Sequence, residues 1–157
     1  MDFWRYIYIY YVIITWGTVF FLMKPRRIKE LLPIALIGII ILFSTEKYLL
    51  TLDLFRFPNA VFPIFGVPFF HLIWGGAAAM IFLNFMPQNF AKKLLTVLVF
   101  TGITLLFEYF PEHHGKAQHI GKYSEIHDAI QDFFSLVLVL WFSEGFFGKR
   151  IHSNSKS

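Results

Sequence analysis

The sequence has no cysteine, which excludes disulfide bonds and thiolate metal ligands. It is also poor in charge: 15% of its residues are charged against 57% hydrophobic, with a mean hydropathy of +0.59. A soluble domain of 157 residues needs a far more polar surface than that composition supplies. Motifs of known catalytic mechanics are missing as well. There is no zincin-type His-Glu-x-x-His, no Gly-x-Ser-x-Gly elbow and no phosphate-binding glycine loop, so no cofactor is implied. No internal repeat of the kind that builds inverted-repeat carriers is visible. The net charge of +4 does not point to nucleic acid, because the basic residues sit in short clusters between apolar runs and not along one polar face.

What the chain has in abundance is apolar length and aromatic rings: 21 Phe, 7 Tyr and 4 Trp make it 20% aromatic, a composition suited to lipid-facing walls and interfacial belts. The first run, 4–23, carries one charge at its edge, Arg5. At about 1.5 Å per residue it spans roughly 30 Å, the thickness of a hydrocarbon core. It is preceded by Asp2 and followed by Lys24, Pro25, Arg26, Arg27 and Lys29, which argues for a retained helix over a cleaved signal peptide. The second run is long enough only if it extends over 31–52, with Pro33 in its first turn. That extension places Glu46 and Lys47 inside its last turns.

Prolines at 58, 63 and 68 and Gly66 exclude a regular helix over 57–68. The segment is too apolar for a solvated loop and is expected at the membrane surface or folded back on the bundle. A third crossing follows at 69–86, with His71 near its start and the small-residue block Gly75, Gly76, Ala77, Ala78, Ala79 as a helix-packing seam. A fourth runs over 94–110, carries Glu108 and is stopped by Pro111. A polar loop, 112–128, leads to a fifth crossing at 129–147 and the basic tail 148–157. The expected fold is all-α: a polytopic membrane helical bundle of about five crossings in one integral membrane domain.

Lys24, Arg26, Arg27, Lys29, Lys92, Lys93, Lys149, Arg150 and Lys156 then fall on one side with only Glu30 and Glu144. The positive-inside rule makes that side cytoplasmic, with the N-terminus outside and the C-terminus inside. Lipid is the obligatory partner, and a second copy or another membrane protein are further candidates.

The polar chemistry gathers on the other side. Glu46, His71, Glu108 and Asp132 lie at similar depth on four crossings. Ionisable groups so close to hydrocarbon are costly unless paired or facing a cavity. They are expected to converge on an outward-opening pocket roofed by 57–68. His113, His114, His119 and His127 are weaker candidates as ligands of zinc, or of iron or manganese where oxygen dominates. Glu108 and Glu112 are four apart, but the intervening Pro111 argues against a shared helical face.

The run Lys24-Pro-Arg-Arg-Ile-Lys-Glu30, the stretch Leu54-Phe-Arg-Phe-Pro58 with Pro63 and Gly66-Val-Pro-Phe-Phe70, and the Lys92-Lys93 turn together resemble a family of small uncharacterised multi-pass membrane proteins of spore-forming Firmicutes. The resemblance implies a bacterial cytoplasmic membrane and carries no catalytic residue over. Three readings stay open: a non-enzymatic sensing, scaffolding or partner-binding component; an intramembrane enzyme acting on a lipid or isoprenoid through the outer histidines and carboxylates; and a subunit of an oligomeric transporter or channel.

Overall fold

The computed structural model describes residues 3–148 and is 76% helical. After a 3-10 turn (Phe3–Tyr6) come α1 (Ile7–Leu22), α2 (Pro25–Thr51), α3 (Phe69–Asn84), α4 (Phe90–His113) and α5 (Glu125–Phe147). α1 with its leading turn, α2, α4 and α5 are each long and apolar enough to cross a membrane. α3, with 16 residues, spans about 24 Å as a helix and is shorter than a hydrocarbon core of roughly 30 Å. The expected tail 148–157, with Lys149, Arg150, His152 and Lys156, lies beyond the described residues apart from Gly148.

Many of the rings face outward. Phe21 is 89% exposed, Phe90 81% and Trp141 68%, an arrangement that lipid favours and water penalises. Inside, Val19, Leu31, Ile34, Ala77, Met80, Phe82 and Leu83 form the main core. α3 packs between α1 and α2, α2 also packs on α5, and α5 on α4. Tyr11 of α1 closes the circuit by donating to the carbonyl of Phe107 on α4 at 2.7 Å.

The small-residue block is consumed by the α2–α3 contact. A methyl group at Gly38 would sit 2.5 Å from Cβ of Ala79 and 3.2 Å from the carbonyl oxygen of Gly75, and one at Gly76 would sit 3.2 Å from the Ala35 carbonyl oxygen. At Gly38 a methyl would require the helices to move apart, and at Gly76 it would fit only tightly.

Several boundaries differ from the sequence expectation, each for a local reason. α2 begins at Pro25 and not at Leu31, because Lys24 is an extended N-cap and Pro25 supplies the preset first helical residue. Arg26 and Arg27 then pair with Glu30 along the first turns, and Pro33 lies inside the helix. α4 starts at Phe90 and not at 94, because the Asn89 side chain accepts from the Lys92 amide at 3.2 Å, a capping interaction. α3 ends at Asn84, short of 86.

Pro111 does not stop α4, which continues to His113. A proline leaves the carbonyl four residues back without its helical amide, and that carbonyl, Phe107, is the one Tyr11 takes. α5 starts at Glu125 with Glu125 and Asp128 in its first turn, where acidic side chains complement the helix dipole. The expected polar loop 112–128 therefore contracts to 114–124.

Residues 57–68 form no helix, but they do form a hairpin. β2 (Pro63–Ile64) pairs antiparallel with β3 (Val67–Pro68) around Phe65 and Gly66, whose φ values of 51° and 95° match a two-residue turn with both central residues left-handed. β1 (Phe55–Arg56) pairs antiparallel with β4 (Gln118–His119), register Phe55 to His119. These two-residue strands amend the all-α expectation, and the second pair fixes the site.

The two ends of the bundle differ in charge. At one, Arg27 donates to Asn84 Oδ1 at 3.4 Å and Lys93 pairs with Glu144, bringing the α1–α2 and α3–α4 connections and the end of α5 together. At the other lie most of the acidic residues, Glu46, Glu108, Glu112, Asp128 and Asp132 among them.

Candidate metal centre

At the acidic end three ligand-type side chains from three elements converge. Glu112 comes from the last turn of α4, His119 from β4 and Asp128 from the first turn of α5, and their donor atoms lie within 4.8 Å of one another. The helix that runs on past Pro111 delivers Glu112. The β1–β4 pairing holds His119 in place against Phe55. His119 Nε2 stands 2.5 Å from Asp128 Oδ2 and 3.2 Å from Glu112 Oε1, so one ring nitrogen is shared between two carboxylates. Burial, and then the charge of Asp128, push the nearby Tyr123 phenol above its ordinary pKa, and its hydroxyl donates to Gln131 Oε1 at 3.0 Å.

Beneath this group lies a cavity of about 10 Å³ lined by Tyr8, Tyr11, Glu46, Phe57, His71, Trp74, Phe107, Glu108, Glu112 and Asp128, among others, room for about one water molecule. His71 is 3% exposed and Glu46 4%. The His71 ring stacks on Trp74 at 5.3 Å between centroids and meets Tyr8 at 4.9 Å and Phe57 at 5.6 Å. Aromatic walls on these sides fix the ring plane. His71 Nε2 faces Glu46 Oε1 at 3.6 Å, beyond hydrogen-bonding reach. Among the described residues, Glu46 Oε2, both nitrogens of His71 and Glu108 Oε2 are buried without a hydrogen-bond partner, and no lysine or arginine lines the cavity.

Two further spaces adjoin it. A pocket of about 60 Å³ holds Glu108 and Asp132 beside Trp74, Thr104 and the small residues Gly38, Gly75 and Ala79. A groove of about 330 Å³ at α4 and the start of α5 is lined by Gly102, Leu105, Leu106, Glu108, Tyr109, Glu112, Glu125 and Asp128. Glu108 lines all three spaces.

The structure thus places Glu46, His71 and Glu108 in one chamber, with Asp132 in the next pocket beside Glu108. The helical α4 puts Glu108 and Glu112 on one face, against the expectation from Pro111. The chamber is covered by Phe55, Phe57 and Ala117, so of the expected 57–68 roof only Phe57 serves, while Ile64 and Phe65 at the hairpin tip are exposed. Of the four candidate histidine ligands, only His119 joins carboxylates among the described residues. His113 stacks on Tyr109 and His114 on Trp4, and His127 stacks on Tyr123 with Nδ1 3.0 Å from Ser124 Oγ.

Sequence reasoning noted Glu112 and Asp128 only as carboxylates four residues from Glu108 and Asp132, and did not carry either as a site candidate. The spacing of Asp128 one residue after His127 and four before Asp132 is the only signal that could have raised it, and nothing in the sequence tied either acid to His119. Comparison with protein-family models, with curated proteins and with solved structures finds no match to this chain.

Proposed function

We propose that this chain is a metal-binding, multi-pass protein of a bacterial cytoplasmic membrane whose centre, formed by Glu112, His119 and Asp128, acts on a lipid-borne substrate. The carrying observation is the convergence of those three donor atoms within 4.8 Å from three separate elements. The 3.2 Å between His119 Nε2 and Glu112 Oε1 is the spacing of two atoms that share an ion at roughly 2.0–2.2 Å from each. One imidazole with two carboxylates suits a divalent first-row cation, manganese or iron when oxygen dominates. Such an ion polarises a carbonyl or phosphoryl oxygen or activates water.

Several features support the membrane setting and the substrate class. The α4–α5 groove runs from apolar Leu105, Leu106 and Gly102 to Glu112 and Asp128, a route by which an acyl or isoprenoid chain would bring a polar head to the ion. The small-residue seam that a scaffolding partner would need is filled by α2 and α3 within the chain. Five crossings, with α3 completed by its flanks, fit the clustering of Arg27, Asn84, Lys93 and Glu144 at one end. The positive-inside rule puts that end, and the C-terminus, in the cytoplasm and the metal centre outside.

The test pairs metal analysis of the detergent-purified full chain with the lipid profile of cells lacking the gene, complemented by the wild type, Glu112→Gln or His119→Ala. Bound metal in the wild type, its loss in the variants, and a lipid change rescued only by the wild type are expected. A metal-free wild type and full rescue by both variants would show that His119 is merely hydrogen-bonded to its two carboxylates.

A further inference from the structure

The pocket between α2, α3, α4 and α5 is apolar over most of its walls, yet it carries polar atoms with nothing to bond. Asp132, 8% exposed, and Trp74, 4% exposed, both line it. Asp132 Oδ2, Trp74 Nε1 and Glu108 Oε2 are buried without a hydrogen-bond partner among the described residues. Leaving such a group unpaired costs about 1–3 kcal/mol, more when it is charged. Two of these atoms belong to carboxylates, which accept when ionised, and the third is an indole N–H, which only donates. A cation would serve the carboxylates and leave the indole unserved. Water both donates and accepts, and so serves all three. The pocket, of about 60 Å³, has room for several water molecules.

Trp74 and Glu108 also line the chamber of about 10 Å³, which has room for about one water. There the 3.6 Å between His71 Nε2 and Glu46 Oε1 is a gap of the kind that water bridges. Glu108 further lines the groove of about 330 Å³ at α4 and the start of α5, and it is the one side chain common to all three spaces. Away from the acidic end the pocket is closed by Ile41, Leu42, Leu136 and Val139, side chains that neither donate nor accept.

We propose that Glu108 passes protons between the acidic end and Asp132 through water held in the pocket, so that the bundle contains a proton-binding site served from one face only. Glu108 takes a proton from water in the groove and releases one to a water of the pocket, which protonates Asp132. The reverse sequence returns the proton, and no other reactant is consumed. The ionisable groups that face Asp132 are Glu108 from α4, Glu46 from α2, and Glu112 and Asp128 at the acidic end. From α3 comes His71, stacked on Trp74, and from α1 the phenols of Tyr8 and Tyr11 in the chamber. No lysine or arginine lines any of the three spaces, so a proton on Asp132 removes a buried charge that no side-chain cation in them offsets. The proposal needs no cation at the Glu112–His119–Asp128 group and is independent of the metal reading.

The full chain is purified in detergent, and infrared difference spectra are recorded between neutral and acid pH. The expected result is a carboxylic acid C=O band that grows as pH falls, shifts in heavy water and is lost in Asp132→Asn. Asp132→Glu, which keeps the acid, should return a shifted band, and it carries the assignment if Asp132→Asn does not fold. After a rapid pH jump, Glu108→Gln should slow the appearance of the band by about 100-fold, a usual contribution of a positioned proton-transfer group. Asp53→Asn, which removes an exposed carboxylate paired with Arg56, should leave the rate at the wild-type value. Vesicles containing the wild-type chain and a trapped pH dye should hold a pH gradient as long as empty vesicles do. A band that is unchanged in both Asp132 variants overturns Asp132 as the acceptor. An unchanged rate in Glu108→Gln overturns the relay, and a gradient that decays faster than in empty vesicles overturns the closed inner end.

Discussion

Replacing Gly38 by alanine tests the packing that holds α2 against α3, and with them Glu46 and His71. The added methyl would lie 2.5 Å from Cβ of Ala79 and 3.2 Å from the Gly75 carbonyl oxygen. Carbon atoms pack at about 3.5–4.0 Å, and neither neighbour is the far end of a flexible side chain. The helices must therefore separate by about 1 Å, and overpacking of this kind costs about 1–3 kcal/mol. Alanine recovers up to about 1 kcal/mol of helix propensity over glycine, so the net loss is about 0–2 kcal/mol. Gly17 and Gly102 are internal controls, since a methyl at either meets nothing within 4 Å. Their alanine variants should gain stability by up to about 1 kcal/mol. The assay is reversible unfolding in mixed micelles. Adding Ala79→Gly to Gly38→Ala removes the colliding methyl and should restore most of the loss. If Gly38→Ala proves as stable as Gly17→Ala, the close approach of α2 and α3 is wrong, and the position of the chamber with it.

Tyr11→Phe removes the hydroxyl that satisfies the Phe107 carbonyl and should cost about 1–3 kcal/mol. In a Pro111→Ala background, which returns an amide to that carbonyl, the same change should cost less, and a double-mutant cycle in unfolding measurements reads the coupling; additivity would show that Tyr11 does not serve the proline. Asn89→Ala should lower stability by about 1 kcal/mol through loss of the cap on α4, with Asn89→Asp close to wild type; equal losses in both variants would remove the capping role.

The bundle was largely legible because lipid imposes a crude rule. Runs of apolar residues such as 4–23 and 129–147 can be little else than membrane-length helices, and the prolines at 58, 63 and 68 announced that the helix would be interrupted between α2 and α3. Depth along the helices was legible too: Glu46, His71 and Glu108 stand near the same end of their elements because each lies a few residues from a segment boundary. The rest depended on pairings with no sequence period. His119 reaches the carboxylates because two residues of β4 add to two of β1, and a strand that short leaves no alternation to read. Glu112 was misplaced for a different reason. Pro111 reads as a stop until a tyrosine from another helix is known to take up the carbonyl it frees.

The carboxylates buried at one end of so small a bundle must be paired or neutralised. An ionised carboxylate in low dielectric is costly unless it is paired, protonated or bound to a metal. Two basic residues that flank this end in sequence are turned away: Lys47 donates to the Phe65 carbonyl at 3.4 Å, and Arg56 pairs with Asp53 at the surface. The 3.6 Å between His71 Nε2 and Glu46 Oε1 is beyond direct hydrogen bonding, so neither of these buried side chains satisfies the other. The unpartnered atoms and the small size of the chamber thus place the same demand: one small partner that reaches Glu46 and His71 at once.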